Sequence, residues 1–105
     1  METSQSKVIV ITGATYGLGN AMAREFLRLG HKVAGCGRTE SIVRHLNQEF
    51  SAIADRCDFA AVDVTQDEQV GQWSKQVVKM FGSPDVLINN AAIAGRHMKL
   101  LGIAS

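Results

Sequence analysis

Residues 7–19 read Lys7-Val8-Ile9-Val10-Ile11-Thr12-Gly13-Ala14-Thr15-Tyr16-Gly17-Leu18-Gly19. The β-branched run from Lys7 to Ile11 meets a three-glycine loop directly, which predicts a strand buried on both faces. From Leu18 the period changes. Gly19, Ala23, Phe26, Leu27 and Gly30 fall on one helical stripe, Arg24 and Arg28 lie on another side, and Gly30 suits a helix C-terminal cap. A glycine loop where a strand turns into a helix lies at the carboxyl edge of the sheet, where open parallel sheets bind ligands. There Gly13 permits the tight turn, Gly17 lets backbone approach a pyrophosphate, and Gly19 allows close helix–strand packing. The free N–H groups of the first helical turn would face phosphates. Glycines that merely cap and turn are the plain alternative. Strand before and amphipathic helix after favour nucleotide binding.

The alternation continues outward. Lys32 to Cys36 reads as a second strand, and a helix from about Glu40, with Thr39 as N-cap, carries Ile42, Val43, Leu46 and Phe50 on one face. Cys57 to Val62 is a third strand. Thr65-Gln66-Asp67-Glu68 has the form of a capping box opening a helix with Val70, Trp73, Val77 and Phe81 inward, stopped by Gly82 and Pro84. Asp85 to Asn89 is a fourth strand. The order βαβαβαβ calls for right-handed crossovers and a doubly wound parallel sheet, of order 3-2-1-4 where the chain reverses direction after strand three. The first two helices then share one face, with the Trp73 helix on the other. Strand four, with no charge between Val86 and Ile88, is expected to be an edge open to self-association.

Composition narrows the classes. The chain has 105 residues, 46% hydrophobic, with eleven basic and ten acidic side chains. That is one domain, too small for separate cofactor and substrate domains. Near-neutral charge leaves no electrostatic footprint for nucleic acid or an acidic membrane. The apolar runs are far below the roughly 20 residues of a membrane span, and Met1 to Lys7 is polar, so a cytoplasmic protein is expected. Cys36 and Cys57 lack zinc-site spacing and read as buried thiols. His31, His45 and His97 have no ligand partners at suitable spacing and read as surface residues, so no metal site is expected. Gly35-Cys36-Gly37, inside strand two, reads as close packing.

The loop spacing is Gly-x-x-x-Gly-x-Gly, with no Lys-Ser/Thr for a Walker loop. TGATYGLG resembles the TGxxxGxG loop of the short-chain dehydrogenase/reductase family. Two further landmarks stand in the right order, Asp63-Val64-Thr65 after strand three and Asn89-Asn90-Ala91-Ala92 after strand four, the latter with Ala92 where the family usually has glycine. The resemblance covers essentially the whole chain. It implies a Rossmann-type fold and a cofactor site in which Gly13, Thr15, Tyr16, Gly17 and Leu18 line the pyrophosphate and nearby ribose. Asp63 and Val64 would meet the adenine and Asn90 the ribose side, although Asp63, Asn89 and Asn90 also suit local turns. A sugar-nucleotide epimerase relative fits less well, because Gly-x-x-Gly-x-x-Gly is the usual spacing there.

Cofactor choice is read from strand two. A site for NAD needs an acid on the free ribose 2′-hydroxyl, whereas a 2′-phosphate needs a cation. Gly37-Arg38 supplies the cation and no acid, so NADP(H) is favoured over NAD(H). The position before the middle glycine, basic in many NADP-preferring members, is Tyr16.

Family members convert carbonyls and alcohols with a tyrosine, a lysine four positions later and a serine, all beyond strand four. The only tyrosine here is Tyr16, followed four positions on by Asn20. No catalytic residue is assigned, and residues 1–105 read as the cofactor-binding half of an oxidoreductase, truncated after strand four and inactive by itself. A non-catalytic nucleotide-binding or interaction module, from a shortened isoform, is the alternative.

Overall fold

The structure, a computed structural model, describes residues 6–91, 99–100 and 103–104. In order these form β1 (Val8–Thr12), α1 (Gly17–Arg28), β2 (Lys32–Gly37), α2 (Glu40–Glu49), a 3-10 turn (Ser51–Ile53), β3 (Cys57–Ala61), α3 (Asp67–Phe81), β4 (Val86–Asn89), β5 (Lys99–Leu100) and β6 (Ile103–Ala104). The first four strands make one parallel sheet of order β3-β2-β1-β4, as the crossover argument requires. A two-residue antiparallel pair, β5 with β6, is separate from it. Two-residue segments carry no periodicity by which a sequence could announce them. Ala92 and His97 lie outside the described residues.

Burial on both faces of β1 follows from its continuous β-branched run; all five of its residues are buried. Alternate residues feed two cores. Ile9, Ile11, Val33 and Phe59 pack with Ala23 and Leu27 of α1 and Val43 and Leu46 of α2. On the other face Val8, Val10, Ala34 and Cys36 pack with Val70, Trp73, Val77 and Phe81 of α3. Both thiols are buried and free. The ends of α1 follow local rules: Gly30 at φ 93° lies beyond the last turn, its N–H bonds the Leu27 carbonyl and the His31 N–H reaches Phe26, the Schellman pattern.

Thr39 caps α2 as expected, while the readings of Thr65, Ile42 and Asp85 are corrected. Thr65 does not cap α3: its hydroxyl and N–H both donate to Asp63 Oδ1, at 2.7 and 3.0 Å, so the N-cap falls to Gln66 without a side-chain bond. Asp67 and Glu68 still favour this helix start through the macrodipole. Thr39 is the N-cap of α2, but through its backbone carbonyl alone. Ile42 faces outward, and Val43 and Leu46 are the residues α2 buries against the sheet. Asp85 precedes β4 and clamps it to β1, donating its N–H to the Val8 carbonyl while its carboxylate accepts the Val8 N–H, both at 2.8 Å.

Candidate functional site

The carboxyl ends of β1, β2 and β3, together with Ala91 after β4, enclose a cleft of about 370 Å³. Gly13, Thr15 and Tyr16 line it from the first loop, Cys36, Gly37, Arg38 and Thr39 from the end of β2, and residues 62–65 from the end of β3. Six of the ten residues expected at a cofactor are thus brought together: Gly13, Thr15, Tyr16, Arg38, Asp63 and Val64. The other four stand around it. Gly17 and Leu18 are exposed at the start of α1, while Gly19 and Asn90 lie beneath the loop.

Chain geometry at the loop is tightly determined. Gly13 turns at φ 62°, where a Cβ would also press on the Ala91 backbone at 3.1 Å. Gly19 is buried by close packing, but against a different partner from the strand expected. A Cβ there would sit 2.0 Å from the Gly13 carbonyl oxygen and 2.6 Å from Asn90 Nδ2. The helix start rests on its own loop. Asn90 Nδ2 donates to that same Gly13 carbonyl at 3.1 Å. Gly35-Cys36-Gly37 is a packing device as expected: side chains at Gly35 and Gly37 would collide with Ala14 Cβ and with the Thr15 side chain.

Thr12 was not singled out from sequence, yet it ties the loop to β4. Fully buried, its Oγ1 accepts the N–H groups of Asn90 (2.9 Å) and Ala91 (3.0 Å) and donates to Asn89 Oδ1 at 3.1 Å. Its partners stand 77 to 79 residues away. The only local signal is a hydroxyl residue closing an otherwise apolar strand.

The polar groups divide by sign across the cleft. Arg38 is exposed at the β2 end, and the Asp63 carboxylate is engaged by Thr65 at the β3 end. Cys36 is buried, and burial pushes its thiol up to about 12, only partly offset by a hydrogen bond with the Gly13 backbone, which disfavours a nucleophilic thiolate. Among the described residues no cluster of His, Cys, Asp and Glu could hold a metal ion. Also among them, no helix is long and apolar enough to cross a membrane. The arrangement fits an extended anionic ligand. α1 begins without a side-chain cap and without an acidic residue in its first turn, so its leading N–H groups remain available beside the loop. A guanidinium flanks the same opening.

A sequence model of the short chain dehydrogenase family matches residues 7–101. The NADPH-dependent pterin aldehyde reductase of Arabidopsis thaliana is 30% identical over 100 residues, covering 95% of this chain and 41% of the relative. The farnesol dehydrogenase of Aedes aegypti is 37% identical over 103 residues, 97% of this chain and 42% of that protein. Among solved structures, a blue fluorescent protein from a metagenomic library in complex with NADPH superposes with a TM-score of 0.73 at 32% identity, covering 83% of this chain and 36% of that one. The chain spans less than half the length of these relatives. With the family match running through nearly every residue and the strand order agreeing with it, this chain belongs to the short-chain dehydrogenase/reductase family of oxidoreductases.

Proposed function

We propose that residues 1–105 form the NADP(H)-binding part of an oxidoreductase that moves a hydride between nicotinamide and a carbonyl or alcohol. The observation that carries this reading is the placement of Arg38 on the same cleft as Gly13, Thr15 and Tyr16, where β2 ends in glycine and no acid. A guanidinium pairs with a ribose 2′-phosphate, and a carboxylate at that place would repel it. The NADPH dependence of the Arabidopsis relative and the NADPH held by the metagenomic protein agree with it. Gly13, Thr15, Tyr16, Gly17 and Leu18 would carry the pyrophosphate and its ribose, with Gly19 giving the helix its close start. Asp63 and Val64 would border the adenine. Asn90 would act on the ribose side, through the loop it supports.

Bound nicotinamide supplies or accepts the hydride; the residues here bind and orient. Proton transfer to the substrate oxygen needs a positioned acid, typically worth about 10² to 10⁴-fold. Tyr16 is the one tyrosine, and Asn20 rather than lysine stands four positions on. The chain by itself is therefore expected to turn over no substrate, which also favours a second reading, a nucleotide-binding module without catalysis. Titration of the 105-residue chain with NADPH and NADH tests the shared core of both. NADPH should bind more tightly, and Arg38→Asp should weaken it by roughly 1.5 to 3 kcal/mol for a lost charge-assisted bond, tenfold or more. Equal affinity for the two nucleotides, unmoved by Arg38→Asp, would overturn the NADP(H) assignment. NADPH oxidation with a panel of aldehydes and ketones that survives Tyr16→Phe would overturn the expectation of an inactive chain.

A further inference from the structure

A side-chain relay joins the glycine-rich loop to the far end of α2. Asn20, one turn into α1 and half-buried, donates from Nδ2 to the Ala14 carbonyl at 3.0 Å. Ala14 is fully buried in the loop, and its own N–H bonds the Cys36 carbonyl at 2.9 Å. The Asn20 amide is itself oriented. Arg24 Nε donates to Asn20 Oδ1 at 2.7 Å, and because a guanidinium has no acceptor, the amide oxygen must face Arg24 and the NH₂ must face the loop. Arg24 then grips Glu49 with both terminal nitrogens and lies 5.0 Å over the Phe50 ring. That hydrogen-bonded pair raises the guanidinium pKa and lowers that of the Glu49 carboxyl.

Glu49 is out of place by local rules. It is the last residue of α2, where the helix dipole disfavours an acid, and no basic residue lies in that last turn. Its partner comes from α1 instead. We propose that Asn20, locked in one amide orientation by Arg24 and Glu49, is a positioning residue that sets the Ala14 peptide, and with it the phosphate-facing N–H groups that follow. This rests on the reading that the loop receives the cofactor pyrophosphate. Asn20 does not line the cleft; it acts through Ala14, whose carbonyl it holds.

The test compares two ligands on the full 105-residue chain: NADPH, which carries the pyrophosphate, and adenosine 2′-monophosphate, which carries only the adenosine and 2′-phosphate. Asn20→Leu keeps the heavy-atom number and branching of the side chain, removes its hydrogen-bonding groups and adds no charge. It should weaken NADPH by about five- to tenfold, the worth of one such hydrogen bond, and leave adenosine 2′-monophosphate unchanged. Arg24→Met, at an exposed site where the stem can still cover Phe50, should weaken NADPH in the same direction by a smaller factor, and keeps the test open if Asn20→Leu does not fold. General loosening would move both ligands together and overturn the positioning role, as would unchanged NADPH affinity in either folded variant. Wild-type chain that binds neither ligand would instead overturn the cofactor reading beneath it.

Discussion

Gly19→Ala is the sharpest perturbation of this fold. The added methyl would lie 2.0 Å from the Gly13 oxygen, 2.8 Å from the Gly13 carbonyl carbon and 2.6 Å from Asn90 Nδ2. Two of these three atoms are backbone, so no side-chain rotation relieves the contact. The helix cannot simply retreat, because Ala23 and Leu27 on the same stripe are packed against the sheet. Overpacking of this kind costs roughly 1–3 kcal/mol. Displacing Asn90 from the Gly13 carbonyl removes a hydrogen bond worth about 1 kcal/mol more. Against this stands the gain of about 1 kcal/mol for alanine over glycine within a helix. The balance is a loss of roughly 1–3 kcal/mol, a fall in melting temperature of about 10 °C for a chain of this length. Gly71→Ala isolates the gain, since nothing lies within 4 Å of a Cβ on that exposed face of α3. Urea and thermal melts without nucleotide should move in opposite directions for the two variants. An unchanged midpoint for Gly19→Ala would refute the close contact between α1 and the loop.

Other perturbations report on other parts. Thr12→Val keeps the shape but leaves the Asn90 and Ala91 N–H groups without their acceptor, so a loss of about 2–4 kcal/mol is expected in a urea melt; a neutral result would contradict the tie between loop and β4. Burial pushes the thiols of Cys36 and Cys57 from the ordinary 9.0 up to about 12 and about 11. The native state therefore keeps these protons longer than the unfolded chain, and the stability they lend is full below pH 9 and lost as pH rises through about 11 to 12. Denaturation midpoints across that range would reveal it, and a thiol reagent at pH 8 should label neither cysteine until urea is added. β4 has a sheet neighbour only on its β1 side among the described residues, and Val86 is 40% exposed. The chain should self-associate along that edge, Val86→Lys should reduce the association in light scattering, and a monodisperse wild type would count against it.

What could be read ahead of the structure was whatever repeats locally. The stripe Gly19, Ala23, Leu27 and the apolar runs of β1 and β2 report burial every three to four residues or at each successive one. Strand order follows from crossover handedness once the chain reverses direction after the third strand. What escaped was competition between near-equal local partners. Thr65 has the sequence of a cap, but Asp63 two residues earlier offers an anionic acceptor that takes both its donors, a stronger bond than a neutral cap provides. Ile42 lies at the margin of the apolar stripe, beside Val43 and Leu46 that α2 buries, and periodicity alone does not decide which side of that margin it takes.

The candidate site divides along the same line. Glycines announce themselves because a turn at positive φ and a 2.0 Å approach admit little else. Hydrogen-bonded supports do not, since their partners are separated by 77 residues for Thr12 and Asn89 and by 25 for Arg24 and Glu49. Asn47 makes the point at the opposite sheet edge, where its amide accepts the Phe59 N–H at 2.9 Å and donates to the Phe59 carbonyl at 2.8 Å. A side-chain amide there copies the pairing of a neighbouring strand at one position of β3. Nothing in the period of α2 marks Asn47 out, because an asparagine on a half-exposed helix face is equally compatible with solvent. Its effect is nevertheless directional: β3 has backbone groups already satisfied at its centre, while β4 has no strand on its outer side among the described residues, so docking by a further strand is expected at β4 rather than at β3.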